Sequence, residues 1–173
     1  MTGTRGAAVL VVGLAGMLLA LAGISAWQGT SRLRDRGGER AQVEAAARAF
    51  VKAYGSFDTR DPGGYRDRLL ALSIGSLRDI LAGSEVDPVA VAQNRTVRTW
   101  VTSVEVTALS GGQATASLTT EQERTDIDPA SGHQRAELVR QQVTCRLTRV
   151  DGRWLVAEYR LLSEHRQGPG TGS

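Results

Sequence analysis

The chain has 173 residues, 41% of them hydrophobic and 23% charged, with a formal net charge of +3 at pH 7 and a mean hydropathy of −0.20. That composition belongs to a globular chain, and the length to about one domain with appendages. Two histidines, one cysteine and a single lysine, Lys52, leave little for metal, dithiol or lysine chemistry; no metal or cofactor is expected. The charge is local. Residues 1–40 hold five arginines against Asp35 and Glu39, a net +3, and the remainder is neutral. A neutral domain lacks the long-range attraction behind most non-specific nucleic-acid affinity, which excludes nucleic acid as a partner.

After a short tail (1–6), Ala7 to Ala26 is an unbroken run of twenty apolar or small residues, and Trp27 follows where an interfacial aromatic would sit. At 1.5 Å per residue such a run crosses a hydrocarbon core of about 30 Å, so 7–27 is predicted to be a transmembrane helix in contact with the bilayer. The competing reading is a cleaved signal peptide. Ala20-Leu21-Ala22 fits its small-x-small cleavage site, but the apolar run exceeds the usual 7–15 residues. Arg5 precedes the run, whereas Arg32, Arg34, Arg36 and Arg40 follow it. Positive-inside counting alone therefore favours a cytoplasmic domain.

Residues 28–40 read as a basic linker in which Gly37-Gly38 breaks any helix leaving the membrane. From there, Val43, Ala46, Ala47, Phe50, Val51, Tyr54 and Phe57 recur at helical spacing, which predicts a first helix ending near Asp58, before Asp61-Pro62-Gly63-Gly64. Tyr65 to Leu72 and Ser73 to Leu81 predict a second and a third helix, with a further turn of helix after Pro88.

The second half is β in character. Thr96–Leu109, with Val104, Val106 and Ala108 alternating, is a first strand. Ser110-Gly111-Gly112 is a hairpin turn, and Ala114, Ala116 and Leu118 mark a second strand. A long connection is expected over 125–134. Val139–Val150 is a third strand with Val143, Cys145 and Leu147 on one face. Asp151-Gly152 signals a type I′ turn, and Arg153–Leu162 returns as a fourth strand. The expected fold is α+β: an N-terminal transmembrane helix, then about three helices packed on a curved four-strand antiparallel sheet in a domain over 41–163. Residues 164–173 form a disordered tail.

Three stretches carry a family resemblance. They are Ala49-Phe50-Val51-Lys52-Ala53-Tyr54-Gly55-Ser56-Phe57-Asp58, Leu70-Ala71-Leu72-Ser73-Ile74-Gly75-Ser76-Leu77, and the closing Leu147-Thr148-Arg149-Val150-Asp151-Gly152-Arg153-Trp154-Leu155-Val156. Together they resemble the nuclear transport factor two-like (cystatin-like) cone fold. Within it the chain looks most like membrane-anchored bacterial members: the Mce-associated membrane proteins of actinobacteria, and the inner-membrane assembly proteins of conjugation and type IV secretion systems. The resemblance covers roughly residues 7–163. It implies a single-pass protein of the cell membrane with its cone outside the cytoplasm, against the arginine count.

Several residues are candidates for chemistry, each beside a plainer role. Asp58 could serve as general base in an isomerase- or dehydratase-like enzyme, with Tyr54, Tyr65 and Tyr159 as hydroxyl donors; the plainer role is to turn the chain before the Asp-Pro-Gly-Gly loop. Tyr54, Phe57, Tyr65 and Trp100 are candidates to line a lipid or small-molecule pocket at the cone mouth, or are simply core. His133 with Asp126 and Asp128 is a weak metal pattern, and a solvated loop explains it better. Cys145 reads as a small buried hydrophobe, and His165 falls in the tail. With an apolar inward face and no catalytic motif, the sequence reads as a non-catalytic, membrane-anchored module. On the resemblance it assembles with subunits of an envelope transport complex, an Mce-type lipid-uptake system first and a conjugative or type IV secretion channel second, as a monomer or a homodimer.

Overall fold

The computed structural model describes residues 37–85, 87–128 and 130–167. The expected membrane span over 7–27, the linker up to residue 36 and the last six residues lie outside them. No helix among the described residues is long and apolar enough to cross a membrane. The chain divides into two units, Met1–Glu39 and Arg40–Ser173, and the second contains the fold described here.

Among the described residues there are four helices and five strands. Helix α1 covers residues 37–55. It is followed by β1 (Phe57–Asp58), α2 (Pro62–Leu72), α3 (Gly75–Gly83), α4 (Pro88–Ala92), and then the strands β2 (Thr96–Ser110), β3 (Gln113–Ile127), β4 (Gln134–Val150) and β5 (Arg153–Gln167). The strands form one antiparallel sheet in the order β1-β2-β3-β4-β5. The fold is α+β as expected, with five strands rather than four.

The differences have local causes. Helix α1 stops at Gly55, and Phe57 and Asp58 pair with Val97 and Thr96 instead of continuing the helix. Gly37 and Gly38 are the first helical residues of α1, and any helix leaving the membrane before them lies outside the described residues. The 125–134 connection shrinks to 128–133, because β3 runs on to Ile127 and β4 starts at Gln134. Both faces of those strand ends are polar, so no alternation marked them. Likewise β5 continues to Gln167, past residue 163, and places His165 opposite Arg140 on the sheet. Ala108 is exposed: a bulge between Val106 and Ala108 flips the parity and puts Leu109 inward in its place.

The tight turns match their sequence signals. Gly111 and Gly112, and Asp151 and Gly152, all have positive φ, as both central residues of a two-residue type I′ hairpin must. Asp61 caps α2 by accepting from the Gly64 amide at 3.0 Å.

The core lies between α1 and the concave face of the sheet. Val43, Ala47, Phe50 and Val51 form the buried stripe of α1. They meet Val106 of β2, Ala116 and Leu118 of β3, Val143, Cys145 and Leu147 of β4, and Trp154 and Val156 of β5. Helices α2 and α3 close one end through Leu69 and Leu81. There Ser73 bridges Val156, and the Ile74 amide donates to the Val156 carbonyl at 2.9 Å. Helix α1 also secures the outer edge of β2: Arg40 donates to the Val106 carbonyl at 2.9 Å and Arg48 to that of Val101 at 2.8 Å. Those carbonyls would otherwise stand open to strand addition.

Phe50 is fully buried and stacks near Tyr54 and Tyr159, with ring centroids 5.9 and 6.0 Å away. Phe50→Ala is expected to destabilise the domain by about 3–5 kcal/mol, measurable as a lowered midpoint in urea denaturation.

Candidate functional site

The concave face changes character along the strands. On β3 the inward residues run Ala114, Ala116, Leu118, Thr120, Gln122, Arg124, Asp126, and opposite them on β4 run Leu147, Cys145, Val143, Gln141, Val139, Glu137, Arg135. The first half is apolar and covered by α1. The second half, beyond the end of α1, is mostly polar and lines a cavity of about 970 Å³. The inward residues read from the sequence, Val104, Val106, Val143, Cys145 and Leu147, all belong to the apolar half, and the polar half beyond them is an addition of the structure.

Gly55 sets the transition. The Thr99 hydroxyl donates to its carbonyl at 2.5 Å. A Cβ at Gly55 would lie 2.7 Å from Gln122 Nε2 and closer still to Thr99 Oγ1. Only glycine lets the helix end approach the sheet this closely.

The floor of the cavity is a hydrogen-bonded network. Arg124 holds Glu164 with both guanidinium nitrogens, at 3.2 and 3.0 Å, and donates to Gln122 Oε1 at 3.1 Å. Gln141 Nε2 donates to Glu164 at 2.6 Å. The Arg124 hydrogen bonds, and then that of Gln141, hold the Glu164 carboxyl below its ordinary range. A general acid or base working at neutral pH needs the opposite shift. The aromatic wall is Tyr54 against Tyr159, centroids 4.4 Å apart, and burial pushes the Tyr159 hydroxyl pKa upward. It stays protonated, a hydrogen-bond donor to whatever enters.

A second hollow of about 290 Å³ adjoins it, walled by Tyr65, Leu69, Leu81 and Ala90, and the two share Tyr54, Phe57 and Arg95. Tyr65 meets Phe57 edge-on at 5.2 Å and donates its hydroxyl to the Tyr54 carbonyl at 2.9 Å. Burial raises the Tyr65 pKa to about 12.

The structure thus brings Tyr54, Phe57 and Tyr65 together. Trp100 stands elsewhere: it is 49% exposed on β2, across from Glu121, and is in neither wall. Asp58 is also outside both walls. Its carboxylate is gripped by the Arg60 side chain at 2.6 Å and by the Arg60 amide at 2.9 Å, and these bonds lower its pKa to about 2. A carboxylate of such low proton affinity is a poor general base. Asp128 spends its carboxylate on the Ala130 and Ser131 amides and on Arg135 within the turn that contains exposed His133. Cys145 is fully buried, and desolvation raises its pKa to about 12, which makes the thiol inert.

Sequence reasoning missed Gln122, Gln141, Arg124 and Glu164. For the first three the signal was present: the alternation begun by Ala114-Ala116-Leu118 and Leu147-Cys145-Val143 continues without interruption into them. Glu164 lies beyond the β5 bulge that spans Leu161 to Ser163, where parity counting fails.

A curved antiparallel sheet wrapped on a long helix, with a cavity at its open end, defines the nuclear transport factor two-like cone, and the chain has that fold. It is similar to the VirB8 protein of Agrobacterium tumefaciens, with 13% identity, 76% of this chain and 95% of the other covered, and a TM-score of 0.53. It is similar also to an IcmL-like type IV secretion system protein of Legionella pneumophila, with 14% identity, coverage of 78% and 97%, and a TM-score of 0.53. A third likeness is to an NTF2-like protein involved in plasmid conjugation, with 13% identity and a TM-score of 0.51; there 71% of this chain matches 48% of the other. No protein-family model and no curated protein matches the sequence.

Two outcomes are expected. Gly55→Ala costs about 1–3 kcal/mol through the enforced clash, and the penalty shrinks in a Thr99→Ala background, as a double-mutant cycle in urea will show. Glu164, with its pKa depressed in the folded state, contributes stability while ionised and loses it as pH falls through the folded value. The melting temperature should therefore drop less on acidification in Glu164→Gln than in the parent chain.

Proposed function

We propose that this chain is a non-catalytic assembly component of a type IV secretion or conjugation complex in the bacterial envelope, held at the membrane by residues 7–27 with its cone outside the cytoplasm. The observation that carries this reading is the extent of the fold match: one domain of this chain accounts for 95% and 97% of two secretion-system structures. The conjugation protein adds the same biological setting. These likenesses support the channel reading over the Mce-type one. The site supports binding over catalysis: Asp58 is outside the cavity, and the Glu164 carboxylate behind its floor is locked in an ion network. A homodimer belongs to the same proposal.

The test is gentle solubilisation of native membranes, capture through a C-terminal tag, and mass spectrometry of what co-purifies. Stoichiometric secretion or conjugation channel subunits are expected. Mce-transporter subunits, or the protein alone at every detergent strength, would overturn the assignment. Sidedness is read separately by Ser110→Cys, an exposed hairpin position, with a membrane-impermeant maleimide on intact cells. Labelling is expected, and buried Cys145 supplies no background.

A further inference from the structure

Some polar groups lining the large cavity have no partner among the described residues, and they describe what would complete it. Gln122 and Gln141 are 7% and 6% exposed. Their amide orientations are fixed by charged neighbours. A guanidinium only donates, so the Gln122 atom facing Arg124 is Oε1; an ionised carboxylate only accepts, so the Gln141 atom facing Glu164 is Nε2. That leaves Gln122 Nε2 as an unused donor and Gln141 Oε1 as an unused acceptor, both on residues lining the cavity. Neither atom is sealed off: among the described residues the buried side-chain atoms without a partner are Thr120 Oγ1 and Trp154 Nε1, so these two amide atoms are open to the cavity's solvent and to a ligand that displaces it.

The lip has a matching pair of unused charges. Four arginines line the cavity. Arg124 is paired with Glu164, Arg135 with Asp128 and Arg166 with Glu137. The Arg95 guanidinium has only the neutral Gln93 Oε1, at 2.7 Å. Asp126 lines the same cavity, and its carboxylate makes no hydrogen bond or ion pair with a described residue, since its cross-strand partner Arg135 is spent on Asp128. Arg95 and Asp126 are the next residues beyond the Thr96↔Thr125 pair of the β2–β3 ladder, yet no ion pair joins them.

We propose that this cavity binds a short peptide with free ends. The α-carboxylate lies on Arg95 and the α-ammonium on Asp126. A main-chain amide offers its carbonyl to Gln122 Nε2 and its N–H to Gln141 Oε1, and a side chain rests on Tyr54 and Tyr159. A simple anion would leave Asp126 and Gln141 Oε1 to water alone, and a lipid chain would strip water from both glutamines with no hydrogen bond in exchange. At about 970 Å³ the space exceeds what one amino acid fills and lies near the top of the ligand-pocket range, roughly 300–1,000 Å³.

The experiment is calorimetric titration of the full chain, kept in mild detergent, with trialanine, N-acetyl-trialanine, trialanine amide and free alanine. Saturable one-site binding of trialanine is expected, weakened about tenfold or more by either cap, the size of a lost charge-assisted hydrogen bond. Arg95→Gln should erase the penalty of amidation and keep that of acetylation, and Asp126→Asn should do the reverse. Both sit at the partly exposed lip, where substitution leaves the core intact. No binding of trialanine up to ~10 mM, a range in which even millimolar affinity registers, overturns the proposal. So do equal affinity for the capped forms and alanine binding as tightly as trialanine.

Discussion

The structure depends on a mismatch of lengths. Helix α1, at 1.5 Å per residue, extends about 28 Å, whereas strands of 15 to 17 residues reach about 50 Å. The helix runs against β2 with Arg40 over Val106, Arg48 over Val101 and Gly55 over Thr99. It ends over Thr99, near the start of β2, while β3 and β4 run on past the level of their Gln122 and Val139 partners. Whatever lies under it must be apolar, and Val106, Leu118, Val143 and Leu147 are. Whatever lies beyond it has only short elements and solvent for cover, and there the same strands carry Gln122, Arg124, Gln141 and Glu137 inward. The cavity is the uncovered half of a sheet longer than its helix.

That mismatch also explains what could be read from the residues. The covered half announced itself: helical periodicity from Val43 to Tyr54, alternation at Ala114-Ala116-Leu118 and Val143-Cys145-Leu147, and glycine-bearing turns at 111–112 and 151–152. Each is a local signal with a burial contrast behind it. The uncovered half has no such contrast, since Thr119 to Asp126 is polar on both faces. Strand formation there comes from pairing with β4, a tertiary cause with no local trace. The short β1 is similar, for Phe57 continued the helical stripe in sequence but pairs with Val97 in space.

The candidate site divides along the same boundary. The aromatic residues Tyr54, Phe57 and Tyr65 were identifiable because they end or follow an apolar stripe. Trp100 was misassigned to them because a tryptophan in a strand reads as inward, whereas the β2 parity points it away from Thr99 and the core. The two glutamines of the cavity floor passed as solvated surface because their polarity hid the parity that continues into them from Leu118 and Val143, although both are buried.

The arginine clasp on the β2 edge has a consequence for synthesis. Its two hydrogen bonds join residues 66 and 53 positions apart in the chain, and the helix end meets its partner strand across 44. Domains emerging N-terminus first build local contacts before distant ones. Helix α1 is therefore made with its Val43–Phe50 stripe bare, and β2 must follow before that stripe has any sheet to pack on. The four long strands are joined only by short hairpin connections, so they can zip in the order of their emergence. The covering of α1 therefore waits at least for the synthesis of β2, 44 to 66 residues further along the chain.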